Sequence, residues 1–207
     1  MIAANHRQER TYHPPEGFCP LCPTRLGEFE TEIPLEDYDI VVLENKFPSL
    51  SQPAHQPEGM GSELCPTRPS KGVCEVVCYS SNHSKTFATL PISQIRKLTR
   101  VWKERYCELS LIGGIEYVFI FENKGEVIGV TLTHPHGQIY AYPFLPLTLQ
   151  TEISSERKHF DSTQRLLADD WLEFELIESE KKRVLYQNDT FVALVPFFAR
   201  YTYEVHV

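Results

Sequence analysis

The chain has 207 residues, enough for one substantial domain or for one domain and part of another. A composition of 42% apolar and 23% charged residues is that of an ordinary globular protein, and a net charge of −8 excludes the basic surface of a general nucleic-acid binder. Apolar runs stay short of the ~20 residues of a membrane span and "MIAANHRQER" lacks a signal-peptide core, so a cytoplasmic protein without membrane or nucleic-acid partners is expected.

In chain order, the first signal is "CPLC", Cys19 and Cys22 at the C-x2-C spacing that suits a tetrahedral metal. Two thiols are half a site. They either recruit two further ligands, for which His83 and His134 are the candidates, or face solvent in a Pro-rich loop. Cys74, Cys78 and Cys107 lie in apolar-patterned segments and read as core; Cys65 lies in a polar loop and stays unassigned.

"YDIVVLEN" (38–45) predicts a buried strand, and the Pro-, Ser- and Gly-rich residues 48–72 predict a long loop. "VCEVVCYS" (73–80) predicts the next strand. Between Pro91 and Leu111, Ile92, Ile95, Leu98, Trp102, Tyr106 and Leu109 recur at spacings of three and four, which predicts an amphipathic helix. Strands are expected at "IEYVFIFEN" (115–123) and "GQIYAYPF" (137–144), a helical stretch at 149–182, and strands again at "RVLYQND" and "FVALVPFF". In "YTYEVHV" (201–207) the alternation predicts a half-buried strand with Tyr201, Tyr203, Val205 and Val207 inward. This order predicts an α+β fold built on an antiparallel sheet. Residues 1–147 are expected to form one unit. Residues 148–207 are expected to begin a second, unfinished one, because "FVALVPFFARYTYEVHV" loosely echoes the strands around residues 40 and 75.

The densest chemistry is "HPHGQ". In an extended strand, His134, His136 and Gln138 project to one face. A neutral imidazole is a good nucleophile toward phosphorus when one ring nitrogen is free and the other is held by an acceptor. Gln138 offers a neutral donor to a phosphoryl oxygen, and Gly137 is expected to let a substrate phosphate approach the backbone. The bland alternative is a pair of surface histidines on an edge strand.

"CPLC", "NKFPSL", "CYSSNHSKT", "FENKG" and "HPHGQIYAYPFLP", in this order and at these spacings, resemble the galactose-1-phosphate uridylyltransferases, a branch of the histidine-triad superfamily. The resemblance runs almost end to end. It implies two related α+β halves, each with an antiparallel sheet. It implies that His136 is the nucleophile that becomes uridylylated and that Gln138 contacts the transferred phosphoryl group. Cys19, Cys22, His83 and His134 become zinc ligands by the same resemblance. Asn45 and Phe47 fall at the uridine, Asn123, Gly129 and Thr131 at the nucleotide phosphates, and Arg7 and Arg10 near the substrate phosphates. Glu152 matches one carboxylate of a second metal site, iron or zinc, whose other ligands lie in the family's C-terminal part. That part, with much of the hexose surface, is expected to be missing from this chain, as is a strand at the front. Lys46 stands where an aspartate is often found, and Thr131 where many members have serine.

The implied substrates are UDP-glucose and galactose 1-phosphate, with a homodimer or a complementary C-terminal half as partner. Histidine-triad hydrolases carry a third histidine where Gln138 stands, able to protonate a poor leaving group. A sugar 1-phosphate, with a second pKa of ~6, leaves without that help. Glutamine therefore favours transfer over hydrolysis. Two other readings are a related phosphorylase acting on an ADP-sugar or dinucleoside polyphosphate, and a chain that is inactive without a complementary half.

Overall fold

The computed structural model describes residues 13–28, 30–54, 56–57 and 61–207. The chain divides into two compact units, Met1–Leu145 and Pro146–Val207. The first unit is built on a four-stranded antiparallel sheet of β1 (Val41–Glu44), β2 (Val73–Cys78), β3 (Tyr117–Phe121) and β4 (His136–Tyr142), in the order β1-β2-β4-β3. One long helix, α1 (Ile92–Ser110), joins β2 to β3, with Pro91 as its N-cap. Helix and antiparallel sheet together make the fold α+β.

Alternation assigns the two faces of the sheet. Val77, Ile139, Ala141 and Val118 turn toward α1 and meet Leu98 and Leu109 in a dry core. On the opposite face lie Val41, Leu43, Val76 and Cys78, packed on Cys19, Leu21, Cys22, Ile33 and Tyr38. That face also carries His136, Gln138, Tyr140 and Tyr142 of β4, which alternate with buried Gly137, Ile139 and Ala141. Toward the β3 edge it becomes aromatic: Phe119 and Phe121 stack at 5.0 Å, and Phe121 meets Tyr140 edge-on at 5.1 Å.

Glu75 breaks the apolar pattern on the α1 face. Its carboxylate is buried and accepts from Arg105 of α1, both from Nε at 2.9 Å and from Nη2. A paired buried carboxylate costs little, whereas an orphaned one costs several kcal/mol.

The second unit holds α2 (Leu147–Thr163), α3 (Leu167–Glu173), a π turn at Phe174–Glu178 and the hairpin β5 (Val184–Gln187) and β6 (Val192–Leu194). Its fully buried charge is Glu175, held by Arg183, Ser179 and the Trp171 indole N–H. The single helical stretch expected at 149–182 is in fact broken at Gln164, which adopts a left-handed φ of 59°. Neither Gly nor Pro marks the break. His159 reaches Asp170 across it and closes the corner, and Arg165 pairs with the same carboxylate.

Residues 201–207 depart from the expected strand. Tyr201, Tyr203, Val205 and Val207 are exposed, and Glu204 and His206 are the partly buried members. The polar residues win the interior because they find partners there. Glu204 accepts from the Arg200 and Tyr201 amides, and His206 packs edge-on against Trp171 and Phe198. His206 forms a single antiparallel bridge with Leu194. Cys107 is likewise exposed rather than core, since it falls on the outer face of α1; Cys74 and Cys78 are buried.

Removing Arg105 leaves Glu75 charged and unpaired in the interior. We expect Arg105→Ala to lower unfolding stability by roughly 3 kcal/mol in urea titrations, and an added Glu75→Gln to recover part of it. An Arg105→Ala chain as stable as the parent would show that Glu75 is solvated.

Candidate active site and metal centre

The metal cluster forms where the N-terminal loop crosses the ends of β2 and β4. Cys19, Cys22, His83 and His134 each offer one ligand atom, and these atoms lie within 4.8 Å of one another. Cys22 Sγ stands 3.3 Å from His83 Nδ1 and 3.5 Å from His134 Nδ1. The other nitrogen of each ring is already engaged. His134 Nε2 shares its proton between the Ser80 carbonyl at 2.8 Å and the Tyr38 hydroxyl oxygen at 2.7 Å. Tyr38 in turn donates to the Leu21 carbonyl at 2.7 Å, inside the C-x2-C turn. His83 Nε2 bonds to Thr133 Oγ1 at 3.2 Å. Such contacts leave both Nδ1 lone pairs aimed at the cluster, as ligand histidines require.

Burial dominates the electrostatics here. It pushes the Cys22 thiol up to about 12, with the Cys19 charge adding to the effect, and raises Cys19 as well. Burial also holds the His134 imidazole down at about 4. Two thiolates in so enclosed a space need a cation, and the neutral imidazole beside them is ready to share one. The donor set therefore fits a soft divalent metal.

His134 thus belongs to the cluster and is not aligned with His136 and Gln138. It precedes the ladder of β4, so the two-residue alternation does not extend back to it. His136 opens the ladder. Its Nδ1 donates to the backbone carbonyl of His134 at 2.7 Å, which fixes the tautomer and leaves the Nε2 lone pair free.

His136 and Gln138 line a cavity of about 660 Å³ together with Asn45, Phe47, Asn123, Gly129 and Thr131. Asn45 builds its own turn there, its Oδ1 accepting the Phe47 amide at 3.0 Å. Gly129 closes the 3-10 turn Glu126–Ile128 with a φ of 79°, a conformation that favours glycine. The same cavity holds Lys46, paired with Glu32 and 6.0 Å from the Phe47 ring centroid. On its other side His136 borders a second cavity of about 410 Å³ with Lys85, Lys124 and Glu122 on its walls.

Arg7 and Arg10 lie outside the described residues. Glu152 lies on an exposed part of α2 and belongs to no metal-competent group among the described residues. Gly137 differs from its expected role. It is buried on the α1 face and lines neither cavity. Tyr38, Ser80 and Thr133, which orient the cluster histidines, carry no motif that sequence reasoning could have used.

Residues 2–146 match the family described as galactose-1-phosphate uridyl transferase, N-terminal domain. The chain belongs to the galactose-1-phosphate uridylyltransferase family. It is 40% identical over its whole length to the galactose-1-phosphate uridylyltransferase of Thermotoga maritima, of which it covers 62%. It is 42% identical over 97% of its length to that of Streptomyces lividans, of which it covers 50%. A solved structure titled as a uridylyltransferase superposes on 99% of the chain with a TM-score of 0.80 at 31% identity, and the chain covers 60% of it. The chain therefore spans half to three-fifths of the length of these relatives.

The depressed His134 value sets a pH dependence. The unfolded ring titrates near 6.5 and the folded one near 4, so below 6.5 the unfolded chain takes up the proton first. Stability contributed by the neutral ring is complete above 6.5 and drains away as pH falls toward 4. We expect the melting temperature of the metal-free chain to fall as pH drops from 6.5 to 4; an unchanged melting temperature over that window would show that the neutral His134 ring contributes no stability.

Proposed function

We propose that this chain carries the uridylyl-transfer chemistry of its family. UMP passes from UDP-glucose to galactose 1-phosphate, giving glucose 1-phosphate and UDP-galactose. One observation carries the reading: the 2.7 Å bond from His136 Nδ1 to the His134 carbonyl, which leaves Nε2 free at the wall of the cavity.

In the first step the Nε2 lone pair attacks the α-phosphorus. The bond to the bridging oxygen breaks, and glucose 1-phosphate leaves with both electrons. The positive charge that develops on the ring is stabilised through Nδ1–H by the His134 carbonyl. In the second step an oxygen of galactose 1-phosphate attacks the same phosphorus, the N–P bond breaks, and neutral His136 is regenerated. Gln138, two residues along the same strand face, donates to a phosphoryl oxygen in both steps. Because an amide does not act as a general acid at neutral pH, it orients the transferred group without activating water. Asn45 and Phe47 hold the uridine; Asn123, Gly129, Thr131, Arg7 and Arg10 hold the phosphates.

The Cys19, Cys22, His83 and His134 set binds zinc. At zinc's usual bond lengths a tetrahedron has sulfur-to-nitrogen edges of about 3.6 Å, close to the 3.3 and 3.5 Å separations from Cys22 Sγ. Zinc supplies a fixed charge that stabilises both thiolates, and the His134 backbone it steadies is the one that accepts from His136. A second metal, iron or zinc, at Glu152 belongs to the same proposal and takes no part in these steps. So do cytoplasmic placement and assembly as a homodimer or with a complementary C-terminal half.

Incubation with UDP-glucose labelled in the uridine should leave label on the protein, and His136→Ala should abolish it. Gln138→Ala should slow labelling by on the order of 10²-fold, the usual cost of one donor to a charged oxygen. Label persisting on the His136→Ala chain would place the nucleophile elsewhere. Elemental analysis should find close to one zinc per chain, and Cys22→Ser should lower it; a zinc-free chain that folds equally well would remove the metal from this account.

A further inference from the structure

Gly137, between the nucleophile and its partner amide, has no room for a side chain. A Cβ placed there would fall 2.0 Å from the Tyr79 hydroxyl oxygen and 3.0 Å from the Phe121 carbonyl. Tyr79 follows β2 on the α1 face and is 1% exposed. Its position is fixed from several sides. The amide donates to the Pro135 carbonyl at 2.9 Å, and the carbonyl accepts from Gln94 Nε2 of α1 at 2.9 Å. The ring stands edge-on to Phe87 and Trp102, each at 6.1 Å. Burial, with the Glu122 carboxylate nearby, pushes its hydroxyl's pKa up.

We infer that Tyr79 is a positioning residue: its hydroxyl supports the His136–Gly137 peptide from below. The inference rests on the reading of His136 as nucleophile. The hydroxyl occupies the space into which the strand could sink on its helix side, which fixes how far Nε2 stands out on the other. Tyr79 touches no reacting atom, so its effect falls on the rate of the bound complex rather than on affinity.

Tyr79→Phe keeps the ring and removes the oxygen. We expect the single-turnover rate of protein labelling at saturating UDP-glucose to fall roughly tenfold or more, because small misplacements of reacting groups are costly. The dissociation constant for UDP-glucose should change less than about twofold on the same ground, since the cavity walls are untouched. Gly137→Ala should lower the melting temperature far more in the parent than in the Tyr79→Phe background, where the nearest ring atom is 3.0 Å away. Additive melting shifts, or an unchanged labelling rate in Tyr79→Phe, would overturn the inference while leaving His136 in place. A parent chain that takes no label at all would overturn the nucleophile reading, and this inference with it.

Discussion

A single backbone carbonyl, that of His134, divides the labour of two neighbouring histidines. It accepts from His136 Nδ1 at 2.7 Å, so His136 presents an unprotonated Nε2 to the cavity. The ring attached to that same carbonyl's residue turns the other way, into the cluster with Cys19, Cys22 and His83. Pro135 sits between them and has no N–H that needs a partner. Its own carbonyl is taken by the Tyr79 amide. What fixes the His134 ring also fixes the acceptor that sets the His136 tautomer. Cluster and His136 are therefore coupled through a short stretch of backbone rather than through a long relay.

The sheet makes this arrangement possible by keeping two environments apart. One face is sealed by α1, where Leu98, Leu109 and Ile139 exclude water. The other face is graded along its width, with the thiol-rich cluster beside β1 and β2, the cavity over β2 and β4, and stacked aromatics near β3. β4 lies between β2 and β3, so neither of its edges is free. A side chain such as His136 on a doubly hydrogen-bonded strand has little freedom to drift, which suits the proposed chemistry.

Most of the framework was legible because it is periodic. Strand alternation around Val42, Val77 and Ile139 and the three-four spacing through Leu98 and Leu109 predict elements that form. The candidate cavity residues were legible only through the resemblance, since Asn45 and Thr131 carry no pattern of their own. Three misreadings share a cause. Alternation says which residues share a face but not what covers that face. Gly137 was assigned to a substrate when Tyr79 covers it, and Tyr201 and Tyr203 were turned inward when Glu204 and His206 found the partners. Cys107 was placed in the core although α1 turns it to solvent. The break at Gln164 was illegible for another reason. It is spanned by the bond from His159 to Asp170 and marked by no local breaker.

The charge distribution of the cavity carries a last constraint. Among the described residues that line it, the formal charges are Glu30, Glu32, Glu44 and Lys46. Three carboxylates and one ammonium form a poor welcome for a diphosphate. Lys46 is moreover committed to Glu32, on the Phe47 side of the cavity. On the proposed reading, that pair offsets one carboxylate at the nucleoside end, which suits a base and a ribose. The phosphate end then works with dipoles: the amides of Gln138 and Asn123, the Thr131 hydroxyl and the open backbone at Gly129. Neutral donors hold a pyrophosphate without stabilising it so far that its bond resists breaking, because they gain most as charge builds on the leaving oxygen. On the proposed reading, Lys85 and Lys124, which border the second cavity beside His136, are described cations that can offset phosphate charge while neutral dipoles face the transferred group.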